Sequence, residues 1–277
     1  MIPASFAYAR PDSLDEAIAL LAEHGDDAKV LAGGHSLLPL MKLRLATPSV
    51  LVDVGRLADL SYVRDADDEL AIGGLTRHHD VEHDALVRRH VPILSAAAGE
   101  VGDPQVRHRG TLGGSLAHGD PASDLPAVVL ALRGRVVVRG TGGERVIAAD
   151  DFFLDFLETA LAPDEIITEV RVPKTNGAGW AFEKFNRRAQ DWAIVGVAAV
   201  GAPAGGGIAL VNMASTPVRA RAVEQAVAGG AAPAAAAGAA ADGLDPPSDL
   251  NASTEFRRHL ATVLTRRALE EVAAGRP

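Results

Sequence analysis

Two short loops built around glycine pairs constrain this chain more than any other feature of its sequence. The first reads Ala32-Gly33-Gly34-His35-Ser36, and the second reads Thr111-Leu112-Gly113-Gly114-Ser115. Paired glycines permit positive φ angles and let backbone N–H groups approach a ligand closely. A predicted strand enters the first loop and a helical stretch leaves it, so that its amides and the helix dipole point at one anion. One glycine pair alone is more often a plain turn, but two such loops favour a long ligand that contains a pyrophosphate.

Other cofactor and partner classes lack their usual signals in this sequence. There is no G-x-G-x-x-G after a strand and no G-x-x-x-x-G-K-[ST], so neither a Rossmann dinucleotide site nor a P-loop is indicated. The chain has no cysteine, which excludes disulfides, thiolate zinc sites and cysteine-held iron–sulfur clusters within it. Its formal net charge of −9 argues against nucleic acid as a partner. The basic pairs Arg187-Arg188 and Arg257-Arg258 are interpreted as solvated faces or partner contacts.

The N-terminal part of the chain predicts an α/β unit. Ser13 and Glu16 form a capping box at the start of a helix, and Gly25 ends that helix. The other elements expected here are strands over residues 28–31 and 50–54 and a helical stretch over residues 37–45.

A second α/β unit is expected after it. Residues 101–124 are predicted to form a long loop, and loops of that length without secondary structure are usually functional. Phe152, Phe153 and Phe156 are expected to pack in the core. The regular elements of this unit are strands over residues 70–72, 136–139 and 166–172 and helices over residues 81–89 and 93–100.

From residue 173 onward the pattern changes to strands first and helices last. The span from Trp192 to Val218 has no charge, but Pro203, Pro217 and glycines 205–207 would leave backbone groups unsatisfied in a membrane, so a hairpin is predicted. Residues 228–241 are rich in alanine and are interpreted as a mobile connector or loose helix. The expected elements are antiparallel strands over residues 180–186, 194–200 and 208–213 and helices over residues 219–227 and after 248.

The motifs around both glycine loops resemble those of one family. Residues 32–46, AGGHSLLPLMKLRLA, closely resemble the first flavin loop of the FAD-binding medium subunits of molybdenum hydroxylases. Residues 103–107, DPQVR, and 109–124, RGTLGGSLAHGDPASD, are similar to the second flavin loop. Phe182-Glu183-Lys184 and Asp191-Trp192-Ala193 match the start of the family's C-terminal domain, so the resemblance covers nearly the whole chain.

The histidine in the first loop refines this resemblance. His35 stands where many relatives have glutamine, and the medium subunits of aerobic carbon monoxide dehydrogenases likewise carry histidine there. Among the members of the family, the chain is most similar to those subunits.

The resemblance implies an α+β architecture, the vanillyl-alcohol-oxidase-like (PCMH-type) FAD-binding fold. Two α/β subdomains, about residues 1–57 and 58–172, would clamp the cofactor. A C-terminal α+β domain with a small antiparallel sheet, residues 173–277, would cover one side.

The resemblance also implies which residues hold FAD. No residue of this chain need be catalytic, since the substrate would be oxidised on another subunit. A β-branched residue in place of Gly33 or Gly114 should prevent FAD binding, because a positive φ is expected at both positions. The implied cofactor contacts are Ala32, Gly33, Gly34, His35, Ser36, Thr111, Leu112, Gly113, Gly114, Ser115, Asp124, Lys184 and Trp192.

Several of these side chains also have an ordinary structural interpretation. His35 would contact the cofactor or point away while its N–H group binds. Asp124 would accept hydrogen bonds from the ribose, or it would cap the helix that begins near residue 125. Lys184 would place a positive charge near the flavin, with a surface salt bridge as the default interpretation. Trp192 would shield the isoalloxazine ring or pack in the core.

A metal site is not expected in this chain. In the group His78, His79 and His83, the i, i+4 spacing is that of two metal ligands on one helix face. The sequence supplies no clear third ligand for such a pair. Residues 81–89 are instead interpreted as an amphipathic surface helix.

Partner subunits follow from the resemblance. It implies a small subunit with two iron–sulfur clusters and a large subunit with molybdopterin and molybdenum, assembled as a dimer of heterotrimers. Electrons would pass from molybdenum through the clusters to FAD in this chain and then to a quinone or another acceptor. The sequence lacks a targeting segment, so a cytoplasmic location is expected, with peripheral contact to the inner face of the membrane through the complex as a further option.

Alternatives to this function remain open from the sequence. The parent enzyme would act on carbon monoxide, or on an aldehyde, a purine, an N-heterocycle or an aromatic acyl-CoA, since specificity lies in the large subunit. A stand-alone NADPH-dependent flavin reductase on a related fold, or a flavin-free scaffold that bridges partners, are rivals from other classes.

Overall fold

The computed structural model describes residues 2–201 and 206–275. No helix within these two ranges has the length and apolar character needed to cross a membrane. The helices are α1 (Leu14–His24), α2 (Leu37–Lys42), α3 (His78–His83), α4 (Ala85–His90), α5 (Pro92–Gly99), α6 (Pro104–Arg107), α7 (Leu112–His118), α8 (Asp124–Ala131), α9 (Arg221–Ala228), α10 (Pro233–Ala237) and α11 (Thr254–Ala273). The strands are β1 (Ala7–Ala9), β2 (Ala28–Leu31), β3 (Val50–Asp53), β4 (Val63–Ala66), β5 (Glu69–Gly73), β6 (Arg135–Gly140), β7 (Gly143–Ala148), β8 (Phe153–Asp155), β9 (Glu158–Thr159), β10 (Ile166–Pro173), β11 (Trp180–Phe185), β12 (Val195–Val200), β13 (Gly207–Val211) and β14 (Val218–Arg219).

The N-terminal unit is a three-stranded parallel sheet in the order β1-β3-β2, with α1 packed against it. The Ser13 side chain accepts a hydrogen bond from the Glu16 N–H group, and Gly25 ends α1 with φ +52°, as the sequence predicted. The second half of the expected capping box differs, because the Glu16 carboxylate accepts from the Asp12 N–H group, where a capping box uses the N–H group of Ser13. β2 leads directly into the first glycine loop, and α2 follows this loop. α2 is shorter than expected, because Arg44 adopts φ +59°.

The second unit is a five-stranded sheet in the order β4-β5-β10-β6-β7, antiparallel throughout. Helices α5 and α8 supply much of the core that covers it. The prediction of one helix over residues 81–89 is wrong, because two separate helices, α3 and α4, meet at Asp84. Asp84 ends one helix and caps the other, its carboxylate accepting from the N–H groups of Leu86 and Val87.

The predicted long loop over residues 101–124 is also wrong, because two short helices and the start of α8 occupy it. Asp103 caps α6 by accepting from the Val106 N–H group, and Pro104 follows in the first helical position. Thr111 caps α7 by accepting from the Gly114 N–H group, and Gly119 ends α7 in the left-handed conformation. Side-chain caps therefore stabilise short helices in a stretch whose glycines suggest a loop.

The C-terminal part forms a four-stranded antiparallel sheet in the order β11-β12-β13-β14, as expected. The turn predicted between β12 and β13 lies partly outside the described residues, since Pro203 and Gly205 belong to the stretch that is not described. Alternate residues of β12 face two different cores. Ala198 and Val200 pack with α8, and Val197 and Ala199 pack with the helices of the C-terminal part.

The alanine-rich segment is not a loose connector. It forms α10 and the turns after it, and Ala236, Ala237 and Ala240 are fully buried or nearly so. Ala236 and Ala240 pack against α11 in the C-terminal core. The small side chains of these three alanines allow close helix packing, whereas Ala228, Ala232, Ala234 and Ala235 of the same segment are exposed.

Two further expectations about burial are wrong. Phe152 lies in the core, but Phe156 is 62% exposed. Arg257, interpreted as part of a solvated basic pair, is fully buried. Its guanidinium donates to the Ile194 carbonyl and, at 2.8 Å, to the Asp249 carboxylate, so it ties α11 to the chain that enters β12.

Replacing Arg257 with methionine should lower the free energy of unfolding by about 2–3 kcal/mol, because hydrogen bonds to a charged group are lost inside the fold. Urea denaturation measures this change. Arg267→Met is the matched control, since Arg267 lies exposed on the same helix and should change the stability by less than about 0.5 kcal/mol. Equal losses of stability in the two variants would contradict a stabilising role for the buried hydrogen bonds of Arg257.

Candidate functional site

A cavity of about 650 Å³ lies between the N-terminal unit, the second unit and the start of the C-terminal sheet. The end of β2 and the first glycine loop form one wall, and the start of α7 forms another. Twelve of the thirteen side chains or backbone positions predicted from the sequence line this cavity. They are Ala32, Gly33, Gly34, His35, Ser36, Thr111, Gly113, Gly114, Ser115, Asp124, Lys184 and Trp192. The exception, Leu112, is fully buried in the core.

The first glycine loop presents unused backbone donors to this cavity. Across the part of the chain that the structure describes, no hydrogen bond to another protein group uses the N–H groups of residues 33–36. Unpaired N–H groups are costly unless water or a ligand accepts from them. Gly34 adopts φ +77°, which turns the backbone within the loop. The loop is therefore suited to bind an anionic group such as a pyrophosphate.

The second glycine loop differs from this expectation, because its amides are already used. The N–H groups of Leu112 and Gly113 donate to the carbonyls of Thr76 and Gly74, at 3.0 and 2.9 Å. The Gly114 N–H group donates to the Thr111 side chain, and the Ser115 N–H group donates to the Thr111 carbonyl. The structure thus contains one open amide cradle and not two. The second loop offers a close, side-chain-free surface in the first turn of α7.

Gly33 brings the two loops together. A Cβ atom at this position would lie 2.8 Å from the Gly110 Cα atom and closer still to the Arg109 carbonyl oxygen. The neighbouring atoms belong to the backbone, so no side-chain rotation can make room. From the sequence, a positive φ was expected to make Gly33 and Gly114 intolerant of larger residues. This explanation is wrong, because neither residue has a positive φ. At Gly114 an added Cβ would meet the Thr111 Oγ1 atom at 2.6 Å.

His35 contacts its own loop. Its Nδ1 atom lies 3.3 Å from the Gly33 carbonyl oxygen, so the ring can donate to the loop while it lines the cavity. The residue therefore has a structural role in addition to its position in the cavity wall.

Asp124 and Lys184 form a buried ion pair in the wall of the cavity. The Lys184 Nζ atom donates to Asp124 Oδ2 at 2.7 Å and to the Glu100 carbonyl at 2.9 Å. Their side chains are only 7% and 5% exposed, so the default interpretation of Lys184 as part of a surface salt bridge is wrong. Asp124 lies in the first turn of α8, whose N-cap residue, Ser123, makes no side-chain cap.

Burial raises the pKa of the Asp124 carboxyl to about 6, against the opposing attraction of Lys184. The Oδ1 atom of Asp124 is buried and has no hydrogen-bond partner among the described residues. A buried carboxylate oxygen without a donor is costly, and a ligand hydroxyl in the cavity would satisfy it.

Trp192 stands at the mouth of the cavity, 65% exposed, so core packing does not account for it. Its neighbour Asp191 forms an ion pair with Arg188 on the protein surface. An exposed indole beside an open cavity is positioned to stack on a planar ring.

The sequence did not predict that His78, or the residues around the start of β10, line the cavity. His78 is 5% exposed, lines the cavity and packs its ring against Gly110. Burial lowers the pKa of His78 to about 4, so this imidazole is neutral near pH 7. Leu161, Ile166 and Ile167 add an apolar wall. No spacing in the sequence connects these residues to the glycine loops, because the sheet brings them together.

Two family models match the chain. A "FAD binding domain in molybdopterin dehydrogenase" matches residues 4–175, and a "CO dehydrogenase flavoprotein C-terminal domain" matches residues 180–272. The carbon monoxide dehydrogenase medium chain of Hydrogenophaga pseudoflava is 41% identical over 97% of each chain. Subunit alpha of the 6-hydroxypseudooxynicotine dehydrogenase complex of Paenarthrobacter nicotinovorans is 39% identical over 97% of this chain and 95% of its own.

A solved structure agrees with these matches. Carbon monoxide dehydrogenase from Hydrogenophaga pseudoflava, in a form that lacks the Mo-pyranopterin moiety, contains a chain that is 43% identical. The two chains superpose with a TM-score of 0.96 over 99% of each. The fold class expected from the sequence is confirmed.

Proposed function

Because this chain belongs to the FAD-binding medium subunits of molybdenum hydroxylases, we propose that its parent enzyme is an aerobic carbon monoxide dehydrogenase. The chain is the FAD-binding subunit of an oxidoreductase complex. The histidine of the first loop and the relative from Hydrogenophaga pseudoflava support carbon monoxide as the substrate of that complex.

The residues of the cavity fit FAD. The free N–H groups of residues 33–36 would bind the pyrophosphate, and the backbone of Gly113 and Gly114 would allow the cofactor to approach α7 closely. The unpaired Oδ1 atom of Asp124 would accept from a ribose hydroxyl, with Lys184 holding the carboxylate in place. Trp192 would cover part of the isoalloxazine ring at the mouth of the cavity. Thr111, Ser115, Ala32 and His35 complete the wall.

Bound FAD accepts electrons singly or in pairs and can pass them to an external acceptor. This chain's own residues bind and orient the cofactor and limit its exposure to water. The substrate reacts on another subunit, which is consistent with the absence of cysteine ligands here.

The assembly is proposed by the same resemblance. The chain would serve as the medium subunit beside a small subunit with two iron–sulfur clusters and a large molybdopterin subunit, in a dimer of heterotrimers. A quinone, or another acceptor, would take the electrons from the flavin. We also propose a domain boundary at residues 172–173, where β10 ends and the C-terminal part begins, and subdomains that meet near residue 57.

An anaerobic visible spectrum of the purified complex, before and after addition of carbon monoxide, tests the proposed substrate. We expect the flavin band to bleach, since electrons from carbon monoxide would reach FAD in this chain. In the control, carbon monoxide is added to a preparation from which the molybdenum subunit has been removed, and the flavin band should stay unchanged.

The other outcomes of this experiment separate the alternatives. A flavin band that stays oxidised with carbon monoxide but bleaches with an N-heterocycle would assign a hydroxylase of the kind found in Paenarthrobacter nicotinovorans, whose subunit is almost as similar. A complex with no flavin band would contradict the assignment of the cofactor site.

A further inference from the structure

A cluster of metal-ligand side chains lies on α3, outside the flavin cavity. His79 and His83 are one helical turn apart, and Glu82 lies between them in the sequence. One ligand atom from each of these three residues lies within 4.8 Å of the others. None of the three lines the cavity described above. The third ligand that the sequence did not reveal is therefore supplied by Glu82.

The hydrogen bonding of His83 prepares it to bind a cation. Its Nδ1 atom lies 2.9 Å from the His79 carbonyl oxygen, which can only accept, so Nδ1 carries the proton. In this tautomer the lone pair of the ring lies on Nε2, and Nδ1 is 3.8 Å from the Glu82 Oε2 atom. Metal-bound histidines usually donate their other ring N–H group to a carbonyl in this way.

Glu82 is held in place by a second contact. Its Oε2 atom forms an ion pair with the Arg107 Nε atom at 2.8 Å, and both side chains are largely buried. Because Oε2 is buried, the other carboxylate oxygen, Oε1, is the acceptor that remains for a cation. The ion pair also fixes the orientation of the carboxylate, which reduces the ordering cost of binding.

His108 completes the surroundings of this cluster. Its ring packs on the ring of His79 with 4.0 Å between centroids, and the rings of His79 and His83 are 4.3 Å apart. His108 directly follows α6, so the cluster connects α3 to the segment that leads into the second glycine loop.

We propose that His79, Glu82 and His83 of α3 bind a divalent cation of the zinc class. Two imidazoles and one carboxylate are ligands that Zn²⁺ accepts readily, whereas Mg²⁺ and Ca²⁺ prefer oxygen ligands alone. The exposed position of His83 leaves room for water in the remaining coordination positions.

Isothermal titration of the full flavin-loaded chain with zinc chloride tests the site. We expect saturable binding of one ion per chain, weakened at least about tenfold in His83→Gln and in Glu82→Gln, since each variant removes one ligand. His259→Gln is the matched control, because His259 is exposed on α11 far from the cluster in the sequence, and its affinity should not change.

A second measurement keeps the test independent of folding. Co²⁺ bound by nitrogen and oxygen ligands gives visible absorption bands, which should appear in the unmodified chain and be lost in His83→Gln. Retained FAD and an unchanged circular dichroism spectrum would establish that this variant is folded. Equal zinc affinity in the unmodified chain and in both ligand variants, or no saturable binding at all, would overturn the proposal.

Discussion

Replacing Lys184 with methionine should lower the free energy of unfolding by about 3–5 kcal/mol near pH 8, because the substitution leaves a buried carboxylate without its partner. The pair is buried in the cavity wall, where the Lys184 Nζ and Asp124 Oδ2 atoms are 2.7 Å apart. Urea denaturation of the chain without flavin measures the loss. The double variant Lys184→Met with Asp124→Asn should recover most of it, since no unpaired charge remains.

The loss should depend on pH in a defined direction. In the unmodified chain the pKa of Asp124 is raised from 3.8 to about 6, mainly by burial, and Lys184 lowers it. Without Lys184 the pKa of the folded state therefore rises further. When folding raises the pKa of a carboxyl group, the folded state keeps its full stability below the pKa of the unfolded state. It loses stability as the pH rises through the pKa of the folded state. The deficit of the variant should thus be constant below about pH 6 and grow above it.

An exposed ion pair provides the control for this prediction. Arg139 and Asp15 are 2.6 Å apart, with side chains 43% and 76% exposed. Arg139→Met should cost at most about 1 kcal/mol, because solvent screens such pairs. A similar loss in Arg139→Met and Lys184→Met would contradict a special role of burial.

The second large effect is expected at Gly33. Gly33→Val should weaken FAD binding at least about 100-fold, which corresponds to about 2.7 kcal/mol, because the added atoms push the two loops apart. The obstacle is backbone, namely the Arg109 carbonyl and the Gly110 Cα atom. Equilibrium dialysis of the apo chain against FAD measures the affinity.

Gly142→Val is the matched control for Gly33→Val. Gly142 lies in the turn between β6 and β7, and an added Cβ there would meet no atom within 4 Å. The control should bind FAD as the unmodified chain does. Full flavin occupancy in Gly33→Val would falsify the interpretation that contact between the loops forms the site.

Local signals in the sequence predicted the elements that form the first wall of the cavity. Ser13 and Gly25 delimited α1, and the apolar run before Gly33 indicated β2, because capping and strand patterns depend on neighbouring residues alone. The glycine loops were recognised for the same reason. Twelve of the thirteen predicted cofactor contacts line one cavity.

What the sequence could not predict depends on residues that are distant along the chain. Lys184 is 60 positions from Asp124, so its partner and its burial appear only when β11 and α8 meet. Arg257 reads as a surface charge until Asp249 and the Ile194 carbonyl surround it. The amides of Leu112 and Gly113 were expected to be open, but their acceptors, the carbonyls of Thr76 and Gly74, are distant along the chain. The amides of Gly114 and Ser115 are used locally, by Thr111.

The two-sided burial of β12 has a consequence for how the chain loses its structure. Its alternate residues belong to two cores, one shared with α8 and one built from the C-terminal helices. Removing the C-terminal sheet would expose apolar surface of both cores at once. The segments that match two separate family models are therefore expected to unfold as one cooperative unit, with hydrogen exchange in α8 and β12 limited by the same global opening.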